Sequence, residues 1–152
     1  MRRWLLVGLL VFSGCATPQR RRADDARVPE KAKAVVRTAR AYLPEENPKA
    51  KPPADCSDFI RKVFARNGIW LPRTAAQMSR LGKPVGSARD LRMGDLLFFS
   101  GEEVSSRVGH VALYVSQGIF IHVARPELGA RLESLYTDYY RKRYITARRL
   151  IF

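Results

Sequence analysis

Cysteine and histidine are scarce in this chain, with two of each among 152 residues. Any imidazole or thiol chemistry therefore falls on Cys15, Cys56, His110 and His122. Acidic side chains are also few. Fourteen Asp and Glu face 28 Lys and Arg, giving a net charge of +14. That balance selects anionic partners: nucleic acid, acidic lipid or a carboxylate-rich cell wall. Long apolar runs are missing too. The run Trp4 to Phe12 is too short to span a bilayer as a mature helix.

That short run has another use. Met1-Arg2-Arg3 before it and Ser13-Gly14-Cys15 after it give the three parts of a secretory signal, ending on small residues directly before a cysteine. Such an end resembles a bacterial lipobox, with Phe12 where Leu, Val or Ile is usual. Residues 1–14 are then a lipoprotein signal peptide and Cys15 is the lipidated residue. Cleavage takes Arg2 and Arg3 off the net charge of +14, leaving +12. Secretion argues against nucleic acid as a partner. It also leaves Cys56 without an intrachain partner once Cys15 is acylated, a free thiol in an oxidising compartment.

Residues 15–30 hold Pro18, Arg20-Arg21-Arg22, Asp24-Asp25 and Pro29 with almost nothing to bury, and read as a flexible tether. A single domain over 31–152 follows. Val35, Val36, Ala39 and Leu43 predict a helix over Lys31 to Leu43. Asp55 is placed as N-cap of a second helix, with Phe59, Ile60, Val63 and Phe64 on its inner stripe and Asn67-Gly68 as its stop. A short helical piece follows, about Thr74 to Ser79, then a loop rich in Gly and Pro.

From Leu96 the period changes to that of strands: Leu96 to Phe99, Val108 to Val115, Ile119 to Val123, Arg131 to Leu135 and Tyr144 to Ile151, with a helical turn over Leu135 to Tyr140. Helices first and an antiparallel sheet after is an α+β arrangement.

Cys56 falls in the first turn of the second helix, where orphan N–H groups and the helix dipole favour a thiolate and can receive an oxyanion. Both histidines lie on the hairpin around Ser116-Gln117-Gly118. A two-residue loop pairs Ser116 with Ile119 and puts the histidines on opposite faces. A three-residue loop pairs Val115 with Ile119, sets Ala112 opposite His122 and unites them. Asp95 reads as a turn residue in Gly94-Asp95. The tyrosines 136, 139, 140 and 144 read as core packing rather than a sugar platform.

Taken together, Asp55-Cys56-Ser57, Leu71-Pro72-Arg73-Thr74, Gly94-Asp95-Leu96-Leu97-Phe98-Phe99, His110-Val111-Ala112-Leu113-Tyr114-Val115 and Phe120-Ile121-His122 resemble the ordered motifs of the NlpC/P60 family, from about Val35 to Arg149. The resemblance implies a papain-like core, N-terminal helices packed on an antiparallel sheet. It implies a cysteine peptidase that hydrolyses peptidoglycan stem peptides, often at the bond from D-glutamate to a diamino acid, with no metal and no organic cofactor. Cys56 matches the nucleophile, His110 the base and His122 the residue that orients the base. Ser57, Asp58, Arg73 and Tyr42 are the substrate-binding candidates. Asp58 stands where the family has glycine, and Leu43-Pro44-Glu45-Glu46 follows Tyr42 where the family has a Gly-Gly pair.

An imidazolium close to Cys56 would hold it as thiolate at rest, against the opposing charge of Asp58. Ala16 after the lipidated cysteine fits the outer membrane, facing the periplasm, with the bilayer and the stem peptides as partners and the chain a monomer. The alternatives are a non-catalytic wall-binding lipoprotein and a related thiol amidase or acyltransferase.

Overall fold

The computed structural model describes residues 28–151. The signal peptide over 1–14, the lipid site Cys15 and nearly all of the tether lie outside the described residues.

Helix α1 spans Glu30–Arg40, with Ala32, Val35, Val36 and Ala39 buried along one stripe. Glu30 in its first turn and Arg37 and Arg40 in its last complement the helix dipole. It ends before Leu43. The N–H of Tyr42 turns back to Ala39 and that of Leu43 to Arg40, so the apolar pattern continues through a tightened turn rather than through helix.

Helix α2, Cys56–Ala65, is capped as expected: the Asp55 side chain accepts from the Asp58 N–H at 2.7 Å. Phe59, Ile60, Val63 and Phe64 are all fully buried. Gly68, at φ 75°, takes the left-handed conformation that lets the chain leave the helix. Helix α3, Ala75–Met78, is held by a reciprocal capping box between Thr74 and Gln77.

The strands are β1 (Lys83–Val85), β2 (Leu96–Ser100), β3 (Val108–Ser116), β4 (Ile119–His122), β5 (Arg131–Ser134) and β6 (Tyr144–Arg149). They form one six-stranded sheet in the order β1-β6-β2-β3-β4-β5, antiparallel throughout. Strand β1 falls in the stretch read as a Gly- and Pro-rich loop. Three residues carry no readable period, and Pro84 argues against a strand except at a sheet edge, where β1 lies.

The sheet is covered on both faces. Leu96, Phe98, Val111, Leu113 and Ile121 pack toward the helices. On the opposite face Leu97, Phe99, Ala112, Tyr114, Phe120 and Ala147 form a second cluster, closed by Tyr140 and Tyr144. Every residue of β2 is therefore buried. The aromatic reading is corrected in part: Tyr140 and Tyr144 pack, whereas Tyr136 is 69% exposed and Tyr139 53%.

The helical turn expected from Leu135 is helix α4, Asp138–Arg143. It starts later because the Leu135 N–H is bonded to the Gly118 carbonyl at 2.8 Å, which holds that residue to the hairpin.

Asp95 does more than turn the chain. Its side chain accepts from the Arg92 N–H, and Arg149 grips it with Nε and Nη2, both at 2.8 Å. At 1% exposure it is a buried ion-pair partner that ties the start of β2 to the end of β6.

The hairpin between β3 and β4 fixes the site. Ser116 pairs with Ile119 across a two-residue turn, and Gln117 and Gly118 have φ of 52° and 79°. A side chain at Gly118 would meet the Tyr136 ring at 2.3 Å. By parity alone this loop would separate the histidines. It does not, because the register shifts between Tyr114 and Ser116, so that Tyr114 pairs with Phe120 and Leu113 with Ile121. The extra residue, Val115, is a bulge that restores the phase and puts His110 and His122 on one face.

Candidate active site

Cys56 opens α2 against β3, half-buried at the edge of the helix-side core. The N–H groups of Val111, Ser57 and Cys56 itself are directed at its sulfur. The first of these places the thiol beside the backbone of the residue that follows His110.

His110 and His122 meet directly. His110 Nε2 lies 2.8 Å from His122 Nδ1, and the rings stand edge to face with centroids 5.0 Å apart. His122 is completely buried. Its other nitrogen, Nε2, lies 3.2 Å from the Tyr140 hydroxyl. The result is a hydrogen-bonded row from His110 through His122 to Tyr140. Because His122 occupies Nε2 of His110, Nδ1 is the nitrogen left to exchange a proton with a thiol.

Tyr140 is the member that sequence reasoning missed. It sits 18 positions from His122, on a helix rather than the hairpin, and had been assigned to packing alone. It packs as well, edge-on to Phe99 and Phe120.

The expected resting thiolate is not what this environment favours. Burial pushes the Cys56 thiol up, the Asp55 carboxylate adds to that, and the three N–H groups only partly offset it. Burial lowers His110 to about 4. His122 falls to about 3 through burial and the nearby positive charges of His110 and Arg131. Burial, with Glu133 and Tyr139, raises Tyr140 to about 12, so its hydroxyl keeps its proton. The resting set is therefore neutral.

The two histidines make the fold acid-sensitive. Their folded values, about 4 and about 3, lie below the ordinary 6.5 of an unfolded chain. The unfolded state thus takes up protons first. The stability tied to the neutral rings is complete above about pH 6.5 and is lost as pH falls toward 4 and below. A tenfold preference for the neutral form is worth ~1.4 kcal/mol, so several kcal/mol are at stake. Urea midpoints should fall steeply between pH 7 and pH 4, and less steeply in His122→Gln, whose side chain takes up no proton. A flat profile in the wild type would contradict the burial account.

The remaining candidates form a frame around the nucleophile. Ser57 donates to Asp55 at 2.7 Å, and Arg73 donates to Ser57 at 2.6 Å and pairs with Asp55. Partial burial works against the Asp55 carboxylate, yet Arg73, the Asp58 N–H and Ser57 together hold it well below the usual range. Asp58 accepts from the Ala54 N–H at 2.9 Å and pairs with Lys62 at 2.7 Å, which commits it to the start of its own helix. Tyr42 stands edge-on to Phe59 in the core with Arg66 over its ring. Among the described residues, no three His, Cys, Asp or Glu side chains converge to hold a metal ion. Beside the histidines opens a cleft of about 200 Å³, lined in part by Ser100, Glu102, Tyr139, Tyr140 and Arg143.

A family model described as the NlpC/P60 family matches residues 45–149, well over half of the chain. The chain belongs to the NlpC/P60 family. The match leaves α1 and Tyr42 outside it. Among curated family relatives, the chain is 36% identical over 97 residues to a gamma-D-glutamyl-L-lysine dipeptidyl-peptidase of Bacillus cereus, covering 64% of this chain and 29% of that protein. It is also 36% identical over 98 residues to the murein DD-endopeptidase MepS/murein LD-carboxypeptidase of Escherichia coli K12, covering 64% of this chain and 50% of that one. The chain thus spans half or less of the length of these relatives. A crystal structure of an NlpC/P60 family protein from Bacillus cereus matches 78% of this chain and 39% of its own, with a TM-score of 0.67 at 31% identity. The α+β expectation, helices first and an antiparallel sheet after, holds.

Proposed function

We propose that this protein is a peptidoglycan endopeptidase in which Cys56 attacks a stem-peptide amide, His110 moves the proton and His122 orients His110. This reading is supported by a thiol at the head of α2 that meets the Val111 N–H, next in sequence to His110, and by the two histidines bonded to each other at 2.8 Å, all inside the family match.

His110 takes the thiol proton on Nδ1 as the sulfur adds to the carbonyl carbon. The N–H groups at the start of α2 face the developing oxyanion. When the C–N bond breaks, the same proton passes from Nδ1 to the leaving amine, and the acyl half stays on Cys56 as a thioester. Water then attacks it, giving its proton to His110. The acid product departs and the thiol is restored. For Nδ1 to accept, Nε2 of His110 carries hydrogen and donates to Nδ1 of His122. His122 in turn donates from Nε2 to the Tyr140 oxygen. Because the resting pair is neutral, charge separates only during attack, where the N–H groups stabilise it.

The bond from D-glutamate to a diamino acid is the preferred target, in keeping with the family resemblance and with the name of the Bacillus cereus relative. Processing before Cys15 and acylation there would anchor the domain to the outer membrane on its periplasmic side. Digestion of purified sacculi with the mature domain, followed by mass spectrometry of the products, tests the reading. New D-glutamyl carboxyl termini and free diamino-acid amines are expected. Sacculi left with no new peptide termini would overturn it.

A further inference from the structure

The cleft beside the histidines holds polar groups that the peptidase mechanism leaves unused. Ser100, at the end of β2, lines it and is only 2% exposed, yet its hydroxyl has no hydrogen-bond partner. Arg143 lines it too, and its Nε is buried without a partner. A buried donor with nothing to bond costs roughly 1–3 kcal/mol. Both residues line the same cleft.

Arg143 is fixed in place rather than loose. Its Nη1 donates to the Tyr139 carbonyl at 3.3 Å, its Nη2 to the Glu102 carbonyl at 2.9 Å, and its guanidinium stacks over the Tyr139 ring at 3.8 Å. Those partners are neutral, and among the described residues no carboxylate pairs with it. Its positive charge is therefore held, oriented and not offset. Glu102, the acidic residue of the lining, is exposed and meets Arg143 through its backbone carbonyl.

From these groups we infer that the cleft is a carboxylate-binding subsite for the leaving half of the substrate. Arg143 Nε and Ser100 Oγ are its donors. The inference rests on the peptidase reading for the side of the bond concerned. His110 must deliver its proton to the leaving amine, so the released half lies beside His110, and His110 lines this cleft. A volume of about 200 Å³ suits a single amino-acid side chain bearing a carboxylate rather than a longer peptide. The subsite therefore discriminates among diamino acids by whether the side chain ends in a carboxylate.

Two synthetic stem peptides provide the test, alike except that the leaving diamino acid carries a side-chain carboxylate in one and a carboxamide in the other. A hydrogen-bonded charge pair should favour the carboxylate by roughly tenfold or more in kcat/KM. Arg143→Gln should bring the ratio near one, Ser100→Ala should lower it part-way, and Arg143→Lys, with charge but no Nε, should fall between. Should Arg143→Gln fail to fold, the wild-type ratio and Ser100→Ala still decide. In parallel, the released half in each form is titrated into Cys56→Ala protein and followed by NMR. The carboxylate should bind and shift the Ser100 and Arg143 signals, the carboxamide much less. If both peptides are cleaved at equal rates and both products bind alike, the subsite is refuted while the peptidase stands. If neither peptide is cleaved but the carboxylate product still binds selectively, the peptidase reading falls and the subsite remains.

Discussion

His122→Leu is expected to lower stem-peptide turnover by about 100-fold or more, whereas His122→Gln and His122→Asn keep a measurable share. His122 is wholly buried and bonded on both ring nitrogens, to His110 at 2.8 Å and to Tyr140 at 3.2 Å. Leucine fills similar space but offers no acceptor, so the N–H of His110 that faces it loses its partner and the ring loses its orientation. The carbonyl of Gln or Asn can accept that hydrogen and hold the ring. An unpaired buried donor also costs roughly 1–3 kcal/mol, so urea midpoints of all three variants belong beside the kinetics. Because His122 acts through His110, the loss should fall on kcat more than on KM. Equal loss in the three variants, with folding intact, would argue against an orienting role.

The site was legible in proportion to how local its determinants are. The Asp55 cap, the inner stripe of α2 and the stop at Gly68 are each set by residues within a few positions of one another, and each formed as read. The hairpin shows where such reading ends. Parity arguments gave two outcomes that depended on loop length. The protein combined the shorter loop with the shared face by inserting a bulge at Val115. Bulges answer to packing across the sheet, here a tightly filled face with Phe99, Ala112, Tyr114 and Phe120 buried, and that is not written in any short window. The same limit hid β1, whose pairing with β6 joins residues more than 60 positions apart. It also hid the grip of Arg149 on Asp95, 54 positions away.

Ionisation was misread for a related reason. The helix N-terminus could be seen in the sequence and favours a thiolate. The burial that outweighs it belongs to the assembled sheet and helices, which enclose both the thiol and the histidines. Tyr140 was legible as a packing residue but not as the partner of His122, and Arg143 lies beyond the expected turn, because α4 runs from Asp138 to Arg143 rather than from Leu135 to Tyr140.

The central claim is that Cys56 is the nucleophile, and the initial rate of stem-peptide cleavage by Cys56→Ala tests it most directly. Removing the sulfur leaves the Asp55 cap and the inner stripe of α2 untouched, so the melting transition should stay close to that of the wild type. The rate should nevertheless fall by about 1,000-fold or more, since no other group in the site can form the thioester. Cleavage by Cys56→Ala within tenfold of the wild-type rate would contradict the account.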